Sequence, residues 1–421
     1  MEHRMIAGSA SPGHSRDSFK LLRILLLLLA IGVLSACGAS GAPSAPASTP
    51  LPPGLAQATA TLAPTFTAAP PSTATATLLP PSTATLQPSA TPSAVPSETV
   101  PPLTSTPSPT WTPEPSATAP PPILTATPTP DPFGPYYIET LAARSYGEGA
   151  IEIGPLLEET ATFQRYAFTY PSDGLRVTGY LNLPKGAGPF PVILLNHGYY
   201  FLDEYSQGDG TRPAADYLAS RGYLTLASDY RNYAGSDPGP NPFRFGYVAD
   251  VMNLLASLGT LPQGWADTSR VGMWGHSMGG GITVNAAVLA GDALDAAVIY
   301  AGMSGDMADN ARHIQAMWQR DEFNGPIREW GGPDEHPQAY ERMSAIRYMN
   351  RARAALAIHH GTHDEQVPYP WSEKLRDAAL AADLLVEHWS YPRGPHSFQG
   401  DTWTLFMERV VAFFDREVKG Q

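Results

Sequence analysis

The segment that decides the fold is Val271-Gly272-Met273-Trp274-Gly275-His276-Ser277-Met278-Gly279-Gly280-Gly281. Its start suits a buried strand and residues from 278 onward suit a helix, so a G-x-S-x-G pattern falls at a strand–turn–helix junction. At such a turn Ser277 takes a strained backbone conformation that lifts its hydroxyl off the sheet, and side chains at Gly275 and Gly279 would collide. The helix that begins at Met278 directs its free N–H groups toward the point where negative charge develops. The segment therefore predicts that Ser277 is a nucleophile in an elbow formed with Gly275 and Gly279.

Short apolar runs and helical stretches alternate along the chain. Continuous apolar runs are typical of parallel strands in a sheet that is covered on both faces, and strand–helix alternation is typical of a doubly wound sheet. We therefore expect an α/β fold with a mostly parallel, doubly wound sheet. The predicted strands are 191–195, 224–227, 271–274, 296–300, 355–358 and 385–391, and the predicted helices are 212–221, 246–258, 278–290 and 371–382.

Two features lie outside this alternation. Residues 165–170 and 175–181 flank the turn Pro171-Ser172-Asp173-Gly174, and their alternating pattern predicts an antiparallel hairpin at the start of the sheet. Residues 302–352 are rich in Met, Trp and Arg and show weak helical periodicity. Because ligands bind at the carboxyl ends of the strands in such sheets, we expect residues 302–352 to form a helical lid insertion there.

The chain consists of parts that differ in proline content and charge. Of the 44 prolines, 25 lie between Pro43 and Pro132. Residues 1–37 carry a net charge of +2 and residues 38–133 carry −3, so residues 134–421 carry −12 of the total of −13. Because binding to nucleic acid needs a basic face, we expect no nucleic-acid partner. Residues 134–421 are enough for one large catalytic domain, whereas the proline-rich part cannot build a packed core.

Residues 1–36 have the pattern of a secretory signal peptide. Basic residues at 16–23 precede eleven apolar residues at 24–34, fewer than the roughly 20 that a spanning helix needs. The stretch Leu34-Ser35-Ala36-Cys37 resembles the lipobox of bacterial lipoproteins. This resemblance implies cleavage before Cys37, lipidation of its sulfur, and a protein anchored to the cell membrane outside the cytoplasm. The alternative to a cleaved leader is an uncleaved signal anchor. The single cysteine of the chain excludes a disulfide framework and a thiolate zinc site.

Residues 37–133 consist mainly of Pro, Ala, Ser and Thr. The sequence of residues 70–75 recurs at 80–85 without hydrophobic periodicity, which indicates a low-complexity, disordered spacer and not a structural repeat. At about 3.1 Å per residue, an extended polyproline II chain of this length would reach on the order of 300 Å. The sequence does not decide between a stalk with a role of its own, glycosylated or not, and a simple separator.

Five segments carry a resemblance to a known superfamily. They are Tyr170-Pro171-Ser172-Asp173-Gly174, Asn196-His197-Gly198-Tyr199, Arg221-Gly222-Tyr223, Ser228-Asp229-Tyr230-Arg231, and Asp267-Thr268-Ser269-Arg270-Val271-Gly272 leading into 275–280. In this order they are similar to the α/β-hydrolase superfamily, and most nearly to the catalytic domains of prolyl oligopeptidase-like and dienelactone hydrolase-like proteins. The resemblance covers about 160–421 and implies the α/β-hydrolase fold.

The base and the acid that activate a serine are sought downstream of Ser277. A serine hydroxyl needs an adjacent base held by a third group, and in this fold the acid and then the histidine follow the serine along the chain. Asp364 lies in the loop after the predicted strand 355–358, and His396 lies in the loop after the last predicted strand. We predict a triad of Ser277, Asp364 and His396.

Other residues compete for these roles. Glu365 adjoins the predicted acid, but the family-like pattern Gly361-Thr362-His363-Asp364 favours Asp364. His388 lies within the last predicted strand, and His276 is expected to point away from the serine hydroxyl. We expect no metal and no cofactor, because no carboxylate pattern completes a zinc motif with the remaining histidines of this region, His359, His360 and His363.

Two backbone N–H groups are needed to hold an oxyanion. One is expected from Met278, directly after the nucleophile, and the other from Tyr199, in a loop that resembles the HG-type loop of the superfamily. The resemblance also implies that the hydroxyl of Tyr199 or Tyr200 assists. His197 is either part of this function or a packed loop residue.

These residues predict acyl transfer to water through an acyl-enzyme intermediate. Oligopeptidases of the resembled family carry a propeller that screens peptides, whereas only about 25 residues separate the spacer from the first predicted strand. We therefore expect carboxylic esters as substrates, with short peptides as the alternative. The alternative to an enzyme is a catalytically silent surface binding module. Within the insertion, Met317, Trp318 and Trp330 either line an apolar acyl pocket or form the core of the lid.

Overall fold

The computed structural model describes residues 130–318 and 320–421. The predicted leader, the lipidation site Cys37 and the spacer up to residue 129 lie outside the described residues and remain predictions. Phe133, which we assigned to the spacer, is only 3% exposed. Its ring packs against Phe243, Trp330 and Tyr340. The packed part of the chain therefore begins before residue 134, because this aromatic cluster includes Phe133.

In the described residues, nine strands form one sheet. They are β1 (Glu152–Glu159), β2 (Phe163–Ser172), β3 (Leu175–Pro184), β4 (Phe190–Asn196), β5 (Leu224–Ser228), β6 (Ala266–His276), β7 (Ala296–Tyr300), β8 (Ala355–Gly361) and β9 (Val386–Tyr391). Their order is β1-β2-β3-β5-β4-β6-β7-β8-β9. The pairs from β1 to β5 are antiparallel, and the pairs from β5 to β9 are parallel. The predicted mostly parallel sheet is confirmed.

Helices cover both faces of this sheet. Along β4, Val192 and Leu194 join one buried cluster, whereas Ile193 and Leu195 join the other. Such a strand is apolar throughout because neither face meets water. In the described part of the chain, no helix is long and apolar enough to cross a membrane. The helices are α1 (Ile138–Ala143), α2 (Arg212–Ala219), α3 (Phe245–Ser257), α4 (Met278–Ala290), α5 (Met307–Met317), α6 (Asp321–Trp330), α7 (Pro337–Arg342), α8 (Pro370–Ala381) and α9 (Gly400–Glu417).

The predicted hairpin is present as β2 and β3. Their pairing runs from Phe163 opposite Pro184 to Ser172 opposite Leu175. The two residues between them, Asp173 and Gly174, have φ values of 53° and 74°, which suits the tight two-residue turn of a right-handed twisted hairpin.

The predicted helical insertion lies between β7 and β8. It consists of α5, α6, α7 and a 3₁₀ segment at Ala345–Arg351. Its apolar residues Ile314 and Phe323 are buried in the same cluster as Ile282 of α4. The insertion is thus packed onto the sheet domain through one face of α4.

Two strands differ from their prediction. β1 was missed because it is an edge strand, largely exposed and interrupted by Pro155, so no hydrophobic alternation marks it. β6 begins at Ala266, earlier than the predicted 271, because its exposed first half pairs with β4 without being apolar. Apolar patterning finds only the buried part of a strand.

Candidate active site

Ser277 lies in a strained turn between β6 and α4. Its φ of 58° and ψ of −119° are unfavourable for a residue with a side chain, and the surrounding chain must enforce them. The N–H of Ser277 donates to the main-chain oxygen of Tyr300 at 3.0 Å, and the N–H of Met303 donates to the oxygen of Ser277 at 3.0 Å. These bonds fix the turn to the chain that follows β7.

The glycines of the elbow are required by close backbone contacts. A Cβ on Gly275 would lie 2.2 Å from the oxygen of Gly279, and a Cβ on Gly279 would lie 2.0 Å from the oxygen of Asn196. Both distances are far below van der Waals contact, so only glycine fits at either position.

The pairing of the parallel strands brings the remaining predicted residues to the same edge. Gly275 of β6 lies opposite Asn196 of β4, and Gly361 of β8 lies opposite Tyr391 of β9. The loops after these four strands therefore meet at the carboxyl ends, where ligands bind in open α/β sheets.

Asp364 and His396 are hydrogen-bonded at this edge. The Nδ1–H of His396 donates to Oδ2 of Asp364 at 2.8 Å, and the two side chains are 4% and 0% exposed. The other carboxylate oxygen, Oδ1, accepts the main-chain N–H groups of Gln366 and Val367, both at 2.8 Å. The carboxylate is thereby oriented by its own loop and holds the imidazole in one tautomer.

A second histidine, His360, also contacts Asp364. Its Nε2–H lies 3.0 Å from Oδ2 of Asp364 and 3.2 Å from the main-chain oxygen of Val367. Burial opposes the charge on Asp364, but the hydrogen bonds from His360 and His396 outweigh it and hold the pKa of Asp364 well below its usual range. Sequence analysis missed this role. The only signal was that His360 lies four residues before the acid at the end of a buried strand.

His276, next to the serine, contacts the loop of His396. Its Nε2–H donates to the main-chain oxygen of His396 at 3.0 Å, and the two rings are 4.7 Å apart. Its other face stacks on Tyr300 at 4.3 Å. Burial and the nearby His396 lower the pKa of His276 to about 3, so the imidazole is neutral at physiological pH.

The competing residues take other positions. Glu365 accepts the main-chain N–H of His396 at 3.3 Å, and His388 lies beside Ser372 and Arg376. Among the described residues, no group of three or more His, Cys, Asp or Glu side chains could hold a metal ion.

The loop after β4 lies against the elbow. A Cβ on Gly198 would be 3.3 Å from Cβ of Ser277, which explains why the loop can approach so closely. His197 is fully buried and stacked between Tyr205 and Tyr230, with ring centroids 4.6 and 4.3 Å away. Of the two alternatives for His197, a part in holding the oxyanion or a packed position in the loop, the structure therefore favours the packed position.

A cavity of about 220 Å³ opens beside Ser277, and Met278 and Tyr199 also line it. The insertion contributes Trp318 to the lining. Trp330 instead stacks on Tyr136 in the aromatic cluster, and Met317 is 53% exposed. Of these three residues, only Trp318 lines the cavity and only Trp330 belongs to the core of the insertion, whereas the exposed Met317 does neither.

The described residues have the α/β-hydrolase fold. Two overlapping family models match it: the FrsA-like esterase model over residues 134–319 and the prolyl oligopeptidase family model over residues 245–421. Ser277 lies in the overlap, and Asp364 and His396 lie in the second match. The matches indicate a serine hydrolase, an esterase or a peptidase, with a prolyl oligopeptidase-like catalytic domain. The predictions of the superfamily and of an enzyme are confirmed.

Similar proteins include esterases and peptidases. Esterase FrsA of Shigella boydii serotype 18 is 29% identical over 153 residues, which is 36% of this chain and 33% of that protein. The chain thus spans about a third of the length of the curated relatives that it matches.

Solved structures that share the fold include a peptidase and an esterase. The acylaminoacyl peptidase of Pyrococcus horikoshii has a TM-score of 0.52 at 22% identity, over 61% of this chain and 42% of that chain. Acetyl xylan esterase 1 of Thermoanaerobacterium sp. has a TM-score of 0.50 at 17% identity, over 67% of this chain and 93% of that chain.

Proposed function

We propose that this protein cleaves carboxylic esters outside the cytoplasm through a triad of Ser277, Asp364 and His396. The observation that carries the triad is the 2.8 Å hydrogen bond from His396 to Asp364. The 3.0 Å bond from His276 to the loop of His396 supports it, because this bond ties the proposed base to the residue beside the nucleophile.

The proposed reaction has two halves. His396 takes the proton of the Ser277 hydroxyl as the oxygen attacks the carbonyl carbon, and Asp364 stabilises the imidazolium. The N–H groups of Met278 and Tyr199 hold the oxyanion. The tetrahedral intermediate collapses to an acyl-enzyme, and the leaving alcohol takes its proton from His396. Water, activated by the same imidazole, then releases the carboxylic acid and restores the serine.

Esters are favoured as substrates by the small size of the site. The cavity of about 220 Å³ is below the roughly 300–1,000 Å³ of typical ligand pockets, and it admits a short acyl group. Within the described residues, the segment from 130 to β1 holds a 3₁₀ turn at Gly134–Tyr136 and one short α-helix, α1, and has no room for a propeller. Cleavage of short peptides is the second candidate, because the match to the prolyl oligopeptidase family model, over residues 245–421, spans all three proposed triad residues.

The nucleophile is tested with a fluorophosphonate probe. Wild-type protein is expected to be labelled and Ser277→Ala protein to remain unlabelled. Equal labelling of the two proteins, or labelling of neither, would refute the triad. Turnover of p-nitrophenyl esters compared with aminoacyl p-nitroanilides then decides between the ester and the peptide.

The location is proposed from residues 1–37. Eleven apolar residues followed by Leu34-Ser35-Ala36-Cys37 support a lipid anchor at Cys37. Metabolic labelling with radioactive palmitate in a bacterial host is expected to mark the wild-type protein and not the Cys37→Ala variant. Palmitate in both proteins, or in neither, would count against the anchor.

A further inference from the structure

Two arginines share the cavity with Ser277. Arg244 lies at the start of α3 and Arg320 just before α6, and both line the cavity. Residues 134–421 carry a net charge of −12. The two cations beside the proposed nucleophile are therefore opposite in sign to the net charge of the domain. Cations placed against the overall charge of a protein point to a negatively charged ligand.

Arg320 has no partner of opposite charge among the described side chains. Its guanidinium carbon lies 4.1 Å from the ring centre of Tyr199 and 4.6 Å from that of Phe201. Cation–π contact with two rings holds the side chain and leaves its N–H donors available to a ligand. A guanidinium binds a carboxylate through two parallel hydrogen bonds.

Arg244 is held differently. Its side chain is 9% exposed and pairs with Glu322 at 3.2 Å, and its backbone is left-handed, with a φ of 68°. Since Glu322 compensates Arg244, the cation without a partner is Arg320. The carboxylate of Glu204 also lines the cavity, but Glu204 is exposed to solvent, where water screens its charge.

The proposed reaction indicates which part of an ester the cavity would hold. In the proposed reaction the leaving group takes its proton from His396, so it departs on the side of that imidazole. Among the described residues, those lining the cavity include Ser277, Met278 and Tyr199 but not His396. The proposed function therefore assigns this cavity to the acyl group of the substrate.

We infer that the preferred acyl group carries a terminal carboxylate that Arg320 binds, so that the substrates are half-esters of short dicarboxylic acids. This inference rests on the proposed function. A cavity of about 220 Å³ is smaller than typical ligand pockets, which favours a short chain with its carboxylate.

Matched esters test the inference on the full chain, purified in detergent. The p-nitrophenyl half-esters of succinate, glutarate and adipate are compared with p-nitrophenyl butyrate, pentanoate and hexanoate. In Arg320→Gln, kcat/KM for the best half-ester is expected to fall about tenfold to a hundredfold, the range of a charged hydrogen bond, while kcat/KM for the matched neutral ester falls by a smaller factor. Arg312→Gln is the matched control, because Arg312 belongs to the same insertion and pairs with Asp334 away from the cavity.

The outcomes separate the inference from the proposed function. If Arg320→Gln lowers turnover of neutral and charged esters equally, or of neither, the inference is overturned, and Ser277-dependent hydrolysis of neutral esters would leave the proposed function standing. If no ester is cleaved and the fluorophosphonate probe does not label Ser277, both are overturned.

Discussion

The imidazole of His276 donates from Nε2 to the main-chain oxygen of His396 at 3.0 Å, across 120 residues of sequence. The acceptor is a carbonyl, so the proton must reside on Nε2 of His276. The residue beside the proposed nucleophile therefore holds the loop of the proposed base.

Removing this bond is expected to slow catalysis without preventing folding. His276→Ala should lower kcat about five- to tenfold, the equivalent of one neutral hydrogen bond, with little change in KM. His276→Gln, which retains an N–H donor, should recover part of the loss. Steady-state kinetics with a p-nitrophenyl ester measures both variants, and an unchanged kcat in His276→Ala would show that the bond does not position His396.

The same histidine should make stability depend on pH. Burial and the nearby His396 lower its pKa in the folded protein to about 3, whereas an unfolded chain protonates it below about pH 6.5. The stability that the neutral imidazole contributes is complete above pH 6.5 and is lost as the pH falls from there toward 3.

Urea unfolding of wild type and His276→Gln measures this effect. Gln does not titrate, so the advantage of the wild type in free energy of unfolding should shrink by about 2 kcal/mol between pH 7 and pH 5. The neighbours Tyr300, His360, Asp364 and His396 are common to both proteins and largely cancel. A difference that stays constant with pH would contradict the buried, neutral state.

Asp364→Asn is expected to lower kcat by up to about 10⁴-fold, because the imidazole loses both its orientation and the charge that stabilises its protonated form. Glu365→Gln serves as the control. Glu365 accepts the main-chain N–H of His396 and a side-chain N–H of Gln366 and does not bond the imidazole, so this variant should lose less than about tenfold. A larger loss in Glu365→Gln than in Asp364→Asn would reverse the assignment of the acid.

His360 is expected to stabilise the charged form of Asp364. His360→Gln should cost about 1–3 kcal/mol of unfolding free energy at pH 7, because a buried carboxylate loses a well-placed donor, and kcat should fall less than in Asp364→Asn. His388→Gln on the adjacent strand β9 is the control, since His388 bonds Ser372 instead. Equal stability of the two variants, measured by urea unfolding, would argue against the role of His360.

Gly279→Ala should disrupt the elbow. The added methyl would lie 2.0 Å from the oxygen of Asn196, and overpacking of this kind costs about 1–3 kcal/mol or more. Fluorophosphonate labelling should be lost together with stability. Gly259→Ala is the control, because nothing lies within 4 Å of its added methyl, and it should change stability by less than about 0.5 kcal/mol. Normal labelling of Gly279→Ala would contradict the close contact.

Sequence patterns were sufficient where the physical requirement is local. β7 and α4 have the predicted bounds. Both are buried, and the burial of a segment determines the hydrophobic pattern of its own residues. Gly275 and Gly279 were found for a similar reason, since a turn that excludes side chains requires glycine at fixed positions around the serine. β1 was not found, because an exposed edge strand buries too little to need an apolar pattern.

Relationships between distant residues were decided only by the tertiary structure. No local pattern distinguishes Trp318, which lines the cavity, from Trp330, which stacks on Tyr136, nor does any place Arg320 beside Ser277. The sequence alone determined the elbow and most of the strands and helices with a buried face, because steric and solvation requirements act on neighbours along the chain. The tertiary structure decided the partners of His276, His360 and Arg320, because hydrogen bonds and charge contacts join whichever side chains the sheet brings together.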